Sequence, residues 1–121
     1  MNKNKKIAVF GGNGFLGKAL LKLLMKENYG IILFTRKKNF QQTLDKIFPD
    51  NNIKCTQWSI DNLQALEKKI KNVNYIINLC GILYENKNGD FFKVHSDLPA
   101  ILGKISSKNK IKTLIHVSAL G

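Results

Sequence analysis

The sequence predicts an α/β fold: a parallel sheet with helices on both faces. Three observations point to it. Short apolar runs recur at residues 6–10, 31–35, 53–58, 74–79 and 112–117. Stretches of helical periodicity or helix-forming composition lie between them. The first apolar run stops at a glycine cluster, Gly11-Gly12-Asn13-Gly14-Phe15-Leu16-Gly17, and a helical pattern starts there. Apolar runs of this length bounded by turn residues read as buried strands. Strands alternating with helices pair in parallel through right-handed crossovers.

The elements follow in order. After the strand at 6–10, residues 14–27 form a helix. Phe15, Leu16, Ala19, Leu20, Leu23 and Leu24 make its sheet-facing stripe, and Lys18, Lys22 and Lys26 point outward. Asn28-Tyr29-Gly30 ends it. The second strand leads through Arg36-Lys37-Lys38-Asn39 to a short helix at 40–48, stopped by Pro49 and the polar run after it. Beyond the third strand, Asn62 is placed to cap a helix through Ile70, with Leu63, Leu66 and Ile70 inward. The fourth strand runs into Cys80-Gly81 and a polar loop at 82–89. Residues 90–108 are mostly helical, with Pro99 kinking or dividing them. The fifth strand follows. Together these elements predict one domain over residues 1–121, a Rossmann-like doubly wound parallel sheet of strand order 3-2-1-4-5. Ligands of such a sheet bind at the carboxyl ends of the strands, near the switch between strands one and four. The sequence stops just after strand five, so the sheet reads as truncated there, with Leu114, Ile115 and Val117 forming an uncovered apolar face.

Composition narrows the function. At 121 residues and 44% hydrophobic content, the chain suits one modest core. No apolar run approaches the ~20 residues of a membrane span. The basic start, Met1 to Lys6, is followed by only four apolar residues before Gly11, too few for a signal-peptide core. These features predict a cytoplasmic protein. The net charge is +12, yet nineteen of the twenty basic residues are lysines, scattered over every segment. A nucleic-acid face would cluster and favour arginine, so nucleic acid is not the expected partner. Peripheral attraction to the anionic inner face of a membrane is compatible with the charge. Cys55 and Cys80 are too far apart for a metal or redox pair and read as buried, reduced thiols. His95 and His116 are isolated, and no metal site is expected.

The chemistry lies in the glycine cluster. Gly11, Gly14 and Gly17 are spaced G-x-x-G-x-x-G, and Gly12, Gly14 and Gly17 also fit G-x-G-x-x-G. Glycines there permit the tight strand-to-helix turn, backbone approach to a pyrophosphate and close packing of the helix on the sheet. The helix N-terminus offers N–H groups to the phosphates. Gly11, Gly12, Asn13, Gly14, Phe15, Leu16 and Gly17 are therefore the candidate dinucleotide cradle. A ribose 2′-hydroxyl is normally bound by an acidic residue closing strand two. Here that position holds Thr35-Arg36-Lys37-Lys38. A guanidinium suits a 2′-phosphate, which favours NADP(H) over NAD(H). The alternative is a solvated basic loop, which fits Lys37 and Lys38 better than Arg36, the sole arginine. Ser59 and Ile60 lie where an adenine would rest. Cys80 and Gly81 lie where the second ribose would pass, and Val117 and Ser118 face the nicotinamide position. Ser118 is the one candidate catalytic residue. Asn78 is either a ligand contact or an amide tying strands together.

With these residues placed, the chain resembles the extended short-chain dehydrogenase/reductase superfamily (NAD-dependent epimerase/dehydratase-like). Within it the chain is most similar to the nucleotide-binding accessory subunits of respiratory complex I, NADH-ubiquinone oxidoreductase, and their bacterial relatives. The resemblance is carried by Val9 to Gly17, Arg36, Trp58, Ile77-Asn78-Leu79-Cys80-Gly81, Pro99 and Ile115-His116-Val117-Ser118-Ala119. It implies a tightly held NADPH, with the glycines on the pyrophosphate and Arg36 on the 2′-phosphate. It also implies complex I subunits or assembly factors as partners, and a structural nucleotide that is not turned over. The chain departs from the superfamily in having Ser59 where an aspartate usually meets the adenine. The usual catalytic serine position falls nearer Leu120 than Ser118. No Tyr-x-x-x-Lys follows, since Tyr29, Tyr75 and Tyr84 each lack a lysine four residues on. The competing expectations are the cofactor domain of an NAD(P)-dependent oxidoreductase or sugar-nucleotide epimerase/dehydratase, and a nucleotide-sensing regulator.

Overall fold

The computed structural model describes residues 5–11, 14–59, 61–70, 72–81, 96–109 and 111–118. Five parallel strands, β1 (Lys6–Phe10), β2 (Gly30–Thr35), β3 (Lys54–Gln57), β4 (Tyr75–Gly81) and β5 (Thr113–Ser118), stand in the order β3-β2-β1-β4-β5. Helices α1 (Phe15–Lys26) and α2 (Phe40–Ile47) follow β1 and β2. A 3₁₀ turn (Leu63–Ala65) runs into α3 (Leu66–Lys69), and α4 (Leu98–Lys108) precedes β5. The class, strand order and element sequence match expectation.

Alternation along each strand divides the core. Ile7 and Val9 of β1 and Ile31 and Leu33 of β2 pack under Leu21 and Leu24 of α1 and Phe40 and Leu44 of α2. Ala8, Phe10 and Phe34 point the other way, beneath Leu66, Leu98, Leu102 and Ile105 from α3 and α4. Both faces of the central strands are covered, as parallel sheets require.

Local expectations are corrected at several points. The sheet-facing stripe of α1 is Gly17, Leu20, Leu21 and Leu24, whereas Phe15, Leu16 and Leu23 are 87%, 47% and 54% exposed. Ala19 is exposed too. Pro99 lies in the first turn of α4, where its missing N–H costs nothing, and helical backbone already runs through Ser96 and Asp97 before it; residues 90–95 of the expected helix lie outside the described residues. Asn62 precedes the 3₁₀ turn but makes no side-chain cap hydrogen bond. Leu114 is partly covered beneath the α4 face, which leaves Ile115 the exposed apolar residue of β5, at 46%.

Asparagines supply backbone conformations that glycine usually takes. Asn28, Asn39 and Asn72 have φ of 64°, 57° and 64°. At the end of α1, the Asn28 N–H donates to Met25 O (3.0 Å) and the Tyr29 N–H to Leu24 O (3.2 Å), closing a Schellman motif around the left-handed Asn28. Asn74 joins three strands at their amino ends. Its Oδ1 accepts from Lys6 N–H (2.9 Å), its N–H donates to Lys6 O (2.8 Å), and its carbonyl accepts from Lys112 N–H (3.0 Å). The Gln41 side chain borders β3, donating to Ile53 O (3.1 Å) and accepting from Cys55 N–H (3.0 Å). It thereby occupies backbone groups of an edge strand that would otherwise invite pairing.

Candidate functional site

The described candidate residues lie at or just beyond the carboxyl ends of the strands, apart from Gly14, Phe15, Leu16 and Gly17, which begin α1 after β1. Gly11 follows β1, Arg36 follows β2, Ser59 follows β3, and Cys80 and Gly81 end β4. Val117 and Ser118 end β5, with Ser118 in register opposite Gly81. Gly12, Asn13 and Ile60 lie outside the described residues, as do the loop at 82–89, His95 and Leu120.

The two ends of the glycine turn do different work. Gly11 has φ +84°, a conformation L side chains rarely adopt, and it presses on β4. A Cβ there would stand 2.9 Å from the Cys80 nitrogen and 3.0 Å from the Leu79 carbonyl carbon. Gly14 is extended (φ −91°, ψ −173°), is exposed, and begins α1 as its N-cap without a side-chain cap. A Cβ on Gly14 would meet nothing within 4 Å. Gly11 is thus required by the protein's own packing. The space in front of Gly14 is open beside the uncapped N–H groups of the first turn of α1, a cradle that suits a pyrophosphate. The buried Gly17 seats the helix on the sheet.

β4 is shaped to receive Gly11. Its pairing with β5 shifts register between Asn78 and Gly81. Asn78 is fully buried, and its Oδ1 accepts from the Cys80 N–H at 3.0 Å. Its Nδ2 lies 3.0 Å from His116 Nδ1 across the sheet. With Oδ1 committed to an N–H, Nδ2 is the donor and His116 Nδ1 the acceptor, which puts the neutral ring's proton on Nε2. Asn78 is therefore the amide that ties strands, and it holds the bulge against which Gly11 rests. Of the two readings open in the sequence, this is the one the geometry carries.

Arg36 is mounted on an aromatic stack. Phe34 and Phe10 stack at 4.6 Å between centroids, and Trp58 meets Phe10 edge-on at 5.6 Å. The Arg36 guanidinium carbon lies 5.5 Å from the Trp58 ring centroid, within cation–π range. Trp58 is buried and its backbone N–H donates to Thr35 O at 3.0 Å, while Thr35 Oγ1 accepts from the Lys37 backbone N–H at 3.1 Å. The loop after β2 is thus anchored at both Thr35 and Trp58, with the guanidinium at the exposed edge. Trp58 is the site residue that residue-level reasoning missed. Its signal was an aromatic at the end of strand three, next in the sheet to the one arginine.

Ser59 is less available than expected. Its Oγ accepts from Asp61 N–H (3.1 Å) and its carbonyl from Asn62 N–H (3.1 Å), so the hydroxyl is engaged in its own turn. Both cysteines are free and half-buried, each packed against one of the two core clusters. Burial pushes the Cys80 thiol up to about 12 against the opposing effect of the Arg36 charge. Such a thiol stays protonated at neutral pH and is no nucleophile. Burial and the Asp45 charge also raise the Cys55 thiol. Among the described residues no cluster of His, Cys, Asp or Glu could hold a metal. Among them, too, no helix is long and apolar enough to cross a membrane.

A parallel sheet of order β3-β2-β1-β4-β5 with a glycine turn, an open helix N-terminus and strand-end side chains defines a Rossmann-like α/β domain. The family model described as the NAD dependent epimerase/dehydratase family matches residues 7–120, and the chain belongs to that family. NADH dehydrogenase (ubiquinone) 1 alpha subcomplex subunit 9, mitochondrial, of Rattus norvegicus is 26% identical over 113 residues. That match takes in 93% of this chain and 30% of the relative, so the chain spans under a third of that relative's length. The X-ray structure of Pen from Bacillus thuringiensis superposes with TM-score 0.82 at 21% identity, over 94% of this chain and 37% of that one. The dTDP-glucose 4,6-dehydratase of Bacillus anthracis, solved in complex with NAD, superposes with TM-score 0.73 at 24% identity, over 97% of this chain and 40% of that one.

Proposed function

We propose that this chain is an NADP(H)-binding domain of a protein like the accessory subunits of respiratory complex I, in which the nucleotide is structural. The open cradle at Gly14, beside a Gly11 that the fold itself requires, is the observation that carries nucleotide binding. The backbone of the 11–17 turn and the first turn of α1 would take the pyrophosphate. Arg36 would take a 2′-phosphate, with no carboxylate after β2 to prefer a 2′-hydroxyl. Gly81 and Val117 would border the path toward the nicotinamide. Bound there, the cofactor would supply hydride chemistry, and the described residues of this chain bind and orient it.

The accessory-subunit reading is supported by the similarity to the rat subunit. Complex I subunits or assembly factors are the matching partners. Family membership favours a second reading, a dehydrogenase or sugar-nucleotide epimerase/dehydratase in which Ser118, in register with Gly81 at the strand ends, would be the catalytic residue.

Calorimetric titration tests the cofactor. NADPH should bind more tightly than NADH, and Arg36→Ala should erase most of the difference by removing a charge-assisted bond of about 1.5–3 kcal/mol. Equal affinities in the parent protein would refute the NADP(H) preference. Oxidation of bound NADPH on addition of a carbonyl or sugar-nucleotide substrate would favour the enzyme.

A further inference from the structure

A groove of about 730 Å³ lies between α1 and the end of α2, on the outer surface of the helical layer. The carboxyl-terminal turns of both helices form it, which puts it toward the amino ends of the strands and away from the nucleotide cradle. Ala19, Leu23, Met25, Ile47, Phe48 and Pro49 supply its apolar lining. Among the described residues, five large apolar side chains are exposed, and two of them, Leu23 and Ile47, line this groove. Lys22 and Lys26 border it from α1, and Asp50 is the only carboxylate among the lining residues. Helix α1 carries three lysines and no carboxylate in its twelve residues.

The structure assigns this groove to an acidic amphipathic helix of another protein. Charge selects that occupant. A second copy of this chain would bring the same lysine-bearing helix, and a net charge of +12, against the lysines already there. A lipid surface would favour a raised apolar ridge with basic flanks, whereas here the apolar residues line a concavity between two helices. A helix laying leucines at i, i+3, i+4 and i+7 into the groove would place flanking glutamates beside Lys22 and Lys26. The exposure of Leu23 and Ile47 in this concavity then has a role in binding.

The test uses two labelled helical peptides, one with leucines at that spacing and glutamates elsewhere, the other with lysines replacing the glutamates. Binding is followed by anisotropy, and contacts are mapped by amide shifts in ¹⁵N spectra. The glutamate peptide should bind saturably and shift the amides of Leu23 and Ile47. Lys22→Glu with Lys26→Glu, two surface changes that leave the core untouched, should weaken it roughly tenfold at low salt. The lysine peptide should not bind. Absence of saturable binding by the glutamate peptide would overturn the assignment. So would indifference to the double charge reversal. Binding to phosphatidylglycerol vesicles, or self-association, that the same double reversal abolishes would overturn it in favour of a lipid surface or a second copy.

Discussion

Gly11 lies so close to the Cys80 amide that a Cβ on it would stand 2.9 Å from that nitrogen, with φ already at +84°. Both facts concern the protein's own backbone. Gly11→Ala should therefore destabilise the fold by about 1–3 kcal/mol through backbone strain and forced separation of β1 and β4. Urea unfolding followed by circular dichroism measures it. An unchanged midpoint would mean that the turn relaxes freely.

Asn78 should prove structural. Asn78→Ala leaves the Cys80 N–H and His116 Nδ1 without their present partner and removes the tie between β4 and β5. An unsatisfied buried group costs about 1–3 kcal/mol. A melting temperature within error of the parent's would show that the tie contributes nothing.

Cys80 gives a prediction in pH. Its thiol is raised from 9.0 to about 12 in the folded protein. The folded state favours the protonated form, so this contribution to stability is complete below pH 9 and fades as pH rises toward 12. The difference in stability between the parent and Cys80→Ala should be constant at neutral pH and shrink on the alkaline side. The native thiol should react with iodoacetamide far more slowly than that of the unfolded chain. Equal rates for folded and unfolded protein would contradict the burial argument.

The Trp58 ring should tune the site through Arg36. Trp58→Phe keeps an aromatic in the stack with Phe10 but offers the guanidinium a weaker face. NADPH affinity should fall by about 0.5–1 kcal/mol while NADH affinity changes less. An equal loss for both cofactors would place Trp58 in general packing only.

The architecture was legible because each apolar run is short and each gap is long enough for a crossover helix. The phase of α1 was not. Apolar residues surround most of its circumference, so Phe15, Leu16 and Leu23 fit a stripe as well as Leu20, Leu21 and Leu24 do. The close seating of Gly17 on the sheet decides between them, and that is a tertiary fact. The glycine turn and Arg36 could be read from local chemistry alone. The aromatic mount of Arg36 and the bond from Asn78 to His116 could not, since each joins residues brought together only by strand order.

Gly14 isolates the central claim, that the 11–17 turn cradles a dinucleotide. Its backbone is extended and any residue can adopt it, and a Cβ there meets nothing in the protein. Gly14→Val should leave the unfolding midpoint close to the parent's while filling the space the pyrophosphate would occupy. The decisive measurement is calorimetric titration of NADPH into the parent protein and the Gly14→Val variant. Saturable binding to the parent and none to a folded variant is the predicted result. Equal binding to both, or none to the parent, would contradict the account.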